Sequence, residues 1–498
     1  MSERAAVIRS PSSGSMTAEP QRAACTLVCF PYAGGGAAAF KGWQELMADS
    51  IAVLPVRLPG RESRINEPPH IDAAVIADAL LENVRPPFAF YGHSMGARLA
   101  FEVVRELASR RAPLPERLYV GAAGAPHRPE PLGRLAELTD QHLLDELLRL
   151  GGFAEQLVAS VDLRDLLLPI IRSDIRWVER YEFRPDGPLD VPIVAFAGAA
   201  DADVGASEMV HWAQHTTAGF RLETLPGGHF FLDSQRGGLA SLIRADLTAA
   251  GTADTTARER TLAPDEVMVQ LADLDRLPGA GQAWGELSPR DALRAARFKA
   301  DDDRRRYIGQ SVLVRRLLRR HGVELGVGEI PTGVNGKPEI DDAGGIRFNA
   351  SRAGRFVLIG VTSHIEIGVD VEQVVPMSDF GAFCDGALDP AEIREVLTLP
   401  EDDRLVAALK IWTAKESTLK ATGDGLSVEP ARFRFERGPG PFGEQWSPRT
   451  QPGLERLNQW RVTHLLLDDA VAAVAVPLDR WRLRFEVPKA DAAPGRRL

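Results

Sequence analysis

Cysteine is scarce in this chain. Cys25, Cys29 and Cys384 are the only three in 498 residues, too few and too scattered for a disulfide framework or a zinc site. No apolar run reaches the length that crosses a membrane, no signal sequence opens the chain, and no repeat suggests a stacked solenoid. Positive charge is also short. The 59 Lys and Arg against 69 Asp and Glu leave a net charge of −10, which argues against a general nucleic-acid or anionic-membrane binder but leaves room for a local basic pocket. The expected compartment is a reducing cytoplasm, with neither nucleic acid nor membrane as partner.

What is present has the balance of a soluble globular protein, 44% hydrophobic and 26% charged. The length exceeds what one hydrophobic core supports, so two or three domains are expected. Residues 1–23, rich in Ser, Pro, Ala and charge, read as a disordered leader, with Met16 as an alternative start. From Thr26 strands, glycine loops and helices alternate over a domain spanning 24–249. Helical periodicity interrupts this over 132–183, as in Leu143, Leu144, Leu147, Leu148 and Leu166, Leu167, Ile170, Ile171. A small, polar stretch at 250–261 has the composition of a linker. The strand signal Val267-Met-Val-Gln-Leu-Ala then opens a second domain, 262–488, and residues 489–498 read as a frayed tail.

Phe88-Ala-Phe-Tyr-Gly-His-Ser94-Met-Gly96 is an apolar strand ending in a G-x-S-x-G turn. A helix follows, with apolar residues at Ala97, Ala100, Phe101, Val104 and Leu107. In that setting the glycines permit a sharp turn that lifts Ser94 to the top of a sheet. A nucleophilic serine needs a base, and the base an orienting acid, here in the order Ser, Asp, His. Asp201 lies just past the strand Pro192–Gly198, and the strand from Phe220 runs into a glycine turn presenting His229. Each alone reads equally well as a loop residue; their order and strand-end positions make the case together. The oxyanion of acyl transfer needs two fixed donors. The N–H of Met95 is one, and the loop Phe30-Pro-Tyr-Ala33-Gly-Gly-Gly supplies the other, at Ala33; with no G-x-x-x-x-G-K-[ST], that loop is not a phosphate-binding one.

Phe30-Pro-Tyr-Ala-Gly-Gly, Gly92-His-Ser-Met-Gly, Leu150-Gly-Gly and Gly228-His-Phe-Phe-Leu together resemble the type II (editing) thioesterases of polyketide and nonribosomal peptide pathways. The resemblance implies an α/β-hydrolase over roughly 24–249, with Ser94, Asp201 and His229 as the triad and 132–183 as a helical lid over an acyl channel. Asp203 is the neighbouring carboxylate; Asp201 holds the family's Gly-x-x-Asp spacing from Gly198.

In the second domain Ile365-Glu-Ile-Gly-Val-Asp370-Val-Glu372 alternates with period two. Asp370 and Glu372 therefore share one strand face while Val369 and Val371 share the other. Adjacent carboxylates repel unless a cation lies between them, and few hard oxygen ligands suit Mg²⁺ bound with substrate phosphates. Downstream, Trp412, Glu416 and Lys420 fall on one stripe of a helix with Lys415 at its edge, so Glu416 can add a third carboxylate. Taken alone, that stripe reads more readily as a solvated helix face.

Gly-Val-Asp-Val-Glu followed by Trp-x-x-Lys-Glu-Ser-x-x-Lys, then Gly425-Leu-Ser427, resembles the signature of 4'-phosphopantetheinyl transferases. Leu287-Ser-Pro289, Arg294, Arg297-Phe298, Arg306, Asn335-Gly-Lys337-Pro338 and Phe348-Asn-Ala-Ser351 follow the same family order. The likeness is to the surfactin-type branch and implies an α+β pseudo-dimer of two halves over 262–486. It implies that Asp370, Glu372 and Glu416 bind Mg²⁺ and that Lys415 and Lys420 contact the phosphates of coenzyme A. Arg294, Lys337 and Ser351 would hold its nucleotide end. Where the family usually has Ser-His-Ser, this chain has Ser351-Arg352-Ala353, and arginine is the better bidentate phosphate ligand. The two resemblances imply carrier proteins or carrier domains as partners and Glu416 as an aid in deprotonating the carrier serine. A lipase or ester hydrolase on the first fold, or a catalytically dead carrier-docking module in either half, are the alternatives.

Overall fold

Parallel strands covered on both faces are read from sequence as short continuous apolar runs, because neither side meets water. The first half of the chain follows that rule. The computed structural model describes residues 24–47, 50–129, 134–151, 160–250, 261–325, 328–332, 337–338, 340, 344–440, 443–467 and 469–490. The expected leader, residues 251–260 of the linker, Gly152, Asn335, Gly336 and residues 491–498 of the tail lie outside them. Two compact units divide the chain, Met1–Asp254 and Thr255–Leu498.

In the first unit the strands are β1 (Cys25–Phe30), β2 (Ile51–Pro55), β3 (Phe88–His93), β4 (Leu118–Gly121), β5 (Ile193–Gly198) and β6 (Phe220–Leu225). They lie side by side in the order β2-β1-β3-β4-β5-β6, every neighbouring pair parallel. All residues of β3 and β5 are buried. Helix α1 (Ala73–Asn83) starts at Asp72, whose carboxylate accepts from the N–H groups of Ala74 and Val75. Helix α2 (Met95–Ser109) follows β3 directly and buries Ala97, Ala100, Phe101, Val104 and Leu107, the spacing the sequence shows. Between β4 and β5 come α3 (Asp140–Leu150) and α4 (Val161–Glu179). They share a core of Leu143, Leu144, Leu147, Leu168, Ile171 and Ile175 against which Ala33 packs. Leu148 and Leu166, spaced as core residues, stand 39% and 50% exposed instead; single apolar side chains at a surface are common.

The second unit has two sheets, each with one long helix. The first runs β15-β7-β9-β8, formed by β7 (Glu266–Asp273), β8 (Ile346–Ala353), β9 (Phe356–Ser363) and β15 (Arg482–Val487). Helices α5 (Pro289–Ala295) and α6 (Asp301–Arg320) belong to this half. The second sheet, β10-β14-β13-β12-β11, is antiparallel throughout. Its strands are β10 (Gly368–Gln373), β11 (Phe433–Gly440), β12 (Gly443–Thr450), β13 (Arg461–Leu467) and β14 (Ala470–Val476). With it go α7 (Phe380–Ala387), α8 (Pro390–Thr398) and α9 (Glu401–Thr422). Among the described residues no helix is long and apolar enough to cross a membrane.

Candidate active sites

Ser94 occupies the one-residue turn between β3 and α2, at φ 54° and ψ −122°, a backbone region that is costly for a residue with a Cβ. Its flanking glycines make the turn possible. A Cβ on Gly92 would stand 2.2 Å from the carbonyl oxygen of Gly96, and one on Gly96 2.2 Å from that of Phe30. The strain presents Ser94 Oγ to His229, whose Nε2 is 3.1 Å away. His229 Nδ1–H donates to Asp201 Oδ2 at 2.9 Å. The other oxygen, Asp201 Oδ1, accepts the N–H groups of Asp203 (3.1 Å) and Val204 (3.0 Å). Burial raises the pKa of Asp201, but its bonds to His229 and to these N–H groups outweigh that and lower it. Asp203, the neighbouring candidate, points elsewhere and pairs with Arg149 at 2.6 Å.

His93, the variable residue before the serine, is fully buried. Its Nε2–H donates to the carbonyl of His229 at 2.8 Å, and its Nδ1 lies 3.0 Å from the hydroxyl of Tyr91. Burial, then the neighbouring His229, push its pKa down to about 3, so the ring is neutral and its two bonds keep fixed directions. Ser94, Met95 and Ala33 line one cavity of about 60 Å³ with Ala122, Ile175 and Val178. The two residues expected to supply oxyanion donors therefore border the space beside Ser94.

The second site is built on β10 and α9. Gly368, Asp370 and Glu372 alternate onto the face that meets α9, so close that a Cβ on Gly368 would lie 1.9 Å from the carbonyl of Ser417. Asp370 Oδ1 accepts from Ser351 Oγ at 2.8 Å and from Lys420 Nζ at 2.5 Å. Lys420 also reaches Ser351 Oγ at 2.9 Å and stands 3.9 Å from Glu416. Glu372 accepts from the indole N–H of Trp412 at 3.1 Å. Burial raises the pKa of all three carboxyls, and Asp370 adds a smaller like-charge push on Glu372 and Glu416. Asp370 Oδ2 is buried and takes no hydrogen bond among the described residues.

Lys415 corrects an expectation. It is fully buried, with Nζ donating to Glu392 at 2.6 Å and to the carbonyl of Ala387 at 3.3 Å. One residue from Glu416 turns a helical side chain by about 100°, enough to take Lys415 from the carboxylate face into the packing of α9 on α8. In this structure its ammonium is committed to that buried pair. Ser351, expected at the nucleotide end, sits instead among the carboxylates. Its strand neighbour Arg352 leaves the opposite face, where Nε donates to Gln310 of α6 at 3.1 Å. Lys337 Nζ is held by Glu366 and by the carbonyl of Ala421, near the end of α9. Arg294 lies over the Tyr307 ring, 5.2 Å from its centre, and lines an open cavity of about 760 Å³ with Arg290, Arg297 and Phe298.

No group of three or more His, Cys, Asp or Glu side chains among the described residues stands close enough to grip a metal by itself. The donor set still suits a hard divalent cation. It has three carboxyls whose burial disfavours their ionised forms, and one buried oxygen, Asp370 Oδ2, that takes no hydrogen bond among the described residues. A phosphate-bearing substrate would have to supply the remaining oxygens.

The thioesterase domain family model matches residues 25–247, and that of the 4'-phosphopantetheinyl transferase superfamily matches 366–475. Linear gramicidin dehydrogenase LgrE of Brevibacillus parabrevis is 36% identical over 239 residues, 47% of this chain and 90% of its own. Thioesterase PikA5 of Streptomyces venezuelae is 37% identical over 218 residues, 43% of this chain and 77% of its own. Among solved structures, RedJ, a thioesterase from the prodiginine biosynthetic pathway in Streptomyces coelicolor, is 38% identical. It covers 49% of this chain and 94% of its own, with a TM-score of 0.44.

Proposed function

The chain belongs to the thioesterase family and carries a 4'-phosphopantetheinyl transferase domain, and from that premise we infer that its two activities serve one target, the pantetheine arm of a carrier protein in polyketide or nonribosomal peptide synthesis. The transferase installs the arm from coenzyme A, and the hydrolase clears acyl groups from its thiol. A transferase that accepts acyl-coenzyme A loads carriers with the wrong cargo, and a linked hydrolase resets them. The observation that carries the hydrolytic half is the relay from Asp201 through His229 to Ser94 Oγ, with both links near 3 Å.

As Ser94 Oγ attacks the thioester carbonyl, His229 Nε2 takes its proton. The oxyanion forms against the N–H groups of Met95 and Ala33, and the proton passes to the departing thiolate. Water, deprotonated by the same nitrogen, then releases the acid. Asp201 holds His229 in the tautomer that leaves Nε2 free to accept and stabilises the imidazolium that forms.

In the second unit Asp370, Glu372 and Glu416 would hold Mg²⁺, which when bound neutralises charge developing on the pyrophosphate. Lys420 presents its ammonium beside Asp370 and can follow the phosphate oxygens. Glu416, its carboxyl raised by burial, accepts the proton of the carrier serine as its oxygen bonds to the β-phosphorus. The bond from that phosphorus to the bridging oxygen breaks, and the nucleotide bisphosphate leaves. Arg294 and Lys337 serve the nucleotide end of coenzyme A, with Arg352 in the place of the family's histidine. The three unpaired thiols, two of them buried, support a cytoplasmic setting.

Mass spectrometry tests the whole reading. An apo carrier incubated with this protein, acyl-coenzyme A and Mg²⁺ should gain the acylated arm and then lose the acyl group. A carrier that stays apo, or that is loaded and never deacylated while free esters are cleaved, would refute it.

A further inference from the structure

A fully buried ion pair in the first unit serves neither the triad nor the sheet. Arg61 and Asp174 have side chains 3% and 1% exposed. The guanidinium donates NH1 to Asp174 Oδ2 at 2.7 Å and NH2 to Oδ1 at 2.8 Å. Burying two charges is costly unless further hydrogen bonds complete them; Arg61 Nε donates to the carbonyl of Pro59 at 3.3 Å, and the remaining bonds go to the loop after Ala33. Arg61 NH1 donates to the carbonyl of Gly35 at 2.8 Å, and the N–H of Gly34 donates to Asp174 Oδ2 at 2.8 Å. The next residue, Glu62, accepts the N–H groups of Ala37 (3.1 Å) and Ala38 (2.9 Å). The clamped segment starts one residue after Ala33. Asp174 sits on α4, beside Ile175 and one turn before Val178, which line the cavity at Ser94.

We propose that Arg61 and Asp174 are positioning residues of the hydrolase: their ion pair ties the loop carrying the Ala33 N–H to α4, so the second oxyanion donor is aimed only while that helix is seated. Neither side chain touches the reacting atoms. The pair fixes the peptide planes following Ala33 from both sides, through a donor on Gly34 and an acceptor on Gly35. The acyl cavity and the oxyanion site are thereby one mechanical unit, since the helix that walls the first anchors the loop that furnishes the second.

The proposal rests on the thioesterase reading of Ser94, and the test separates the two. In the full-length protein, Asp174→Asn removes the charge while keeping the shape, and Arg61→Lys keeps the charge while losing the fork. Each should lower kcat for acyl-carrier hydrolysis by about 10²–10³, the cost of one oxyanion donor, with KM changed less than about threefold. Affinity for a trifluoromethyl ketone analogue, which forms the tetrahedral adduct, should fall by the same factor, while affinity for a non-hydrolysable thioether should not. The double variant Arg61→Met/Asp174→Leu removes both charges and should restore the melting temperature but not turnover, because Gly34 and Gly35 still lack their partners. Recovery of hydrolysis in that double variant, or losses carried by KM and the melting temperature alone, would reduce the pair to a structural one. If Ser94→Ala retained hydrolysis, the triad reading itself would fall, whatever Asp174 does.

Discussion

Replacing Asp201 by Asn tests the hydrolase at a single atom. Asp201 Oδ1 is held by two backbone N–H donors, from Asp203 and Val204. Only an oxygen can stay there, so the amide nitrogen of Asn must take the place of Oδ2, facing His229 Nδ1. An N–H₂ group can only donate, so Nδ1 must accept and the ring proton moves to Nε2. That nitrogen lies 3.1 Å from Ser94 Oγ and can no longer take its proton. In a serine triad this inversion costs about 10⁴ in kcat, or about 5 kcal/mol of transition-state stabilisation. The neighbouring change, Asp203→Asn, weakens a pair with Arg149, a side chain 47% exposed. Exposed pairs contribute at most about 1 kcal/mol, so hydrolysis should stay within about fivefold. Single-turnover release of the acyl group from a loaded carrier measures both variants, with transfer from coenzyme A as internal control. Equal losses, or a larger loss for Asp203→Asn, would refute the assignment.

Ser94→Ala should abolish hydrolysis and leave carrier loading at its wild-type rate, since the two sites share no partners; followed by mass spectrometry, lost loading would contradict two independent sites. Asp370→Ala or Glu416→Ala should remove transfer, Mn²⁺ should replace Mg²⁺, and EDTA should stop transfer while hydrolysis continues. Lys415→Met should lower stability in urea by about 3–5 kcal/mol by stranding Glu392, and Lys415→Met/Glu392→Leu should recover most of it; unchanged stability with weakened coenzyme A binding would return Lys415 to the phosphates. His93, held near pKa 3 against about 6.5 unfolded, binds its proton only in the unfolded chain between those values. Its stabilising share is therefore complete above pH 6.5 and is lost on acidification, at about 1.4 kcal/mol per pH unit. Urea unfolding at pH 7 and pH 5 should show a smaller loss in His93→Gln than in wild type.

The meeting of Ser94, Asp201 and His229 was legible because each stands just past a strand end, and in a parallel sheet strand ends converge on one rim. β3, β5 and β6 deliver Ser94, Asp201 and His229 there in chain order. The alternation Asp370, Glu372 was legible for a similar reason, since the pleat alone puts them on one face. The partner of Lys415 was not legible because helical spacing gives an angle and not the neighbour that fills it. The neighbour is Glu392, on a separate helix and 23 residues away. Arg61 and Asp174 are 113 residues apart, in a loop and a helix with no motif between them, and nothing in the spacing of either hints at the other.

The G-x-S-x-G pattern treats the residue before the serine as free, yet here that position tethers His229. His93 holds the main chain of His229 while Asp201 holds its ring. A ring held near pKa 3 keeps that grip well into acid, where an ordinary histidine would already carry charge.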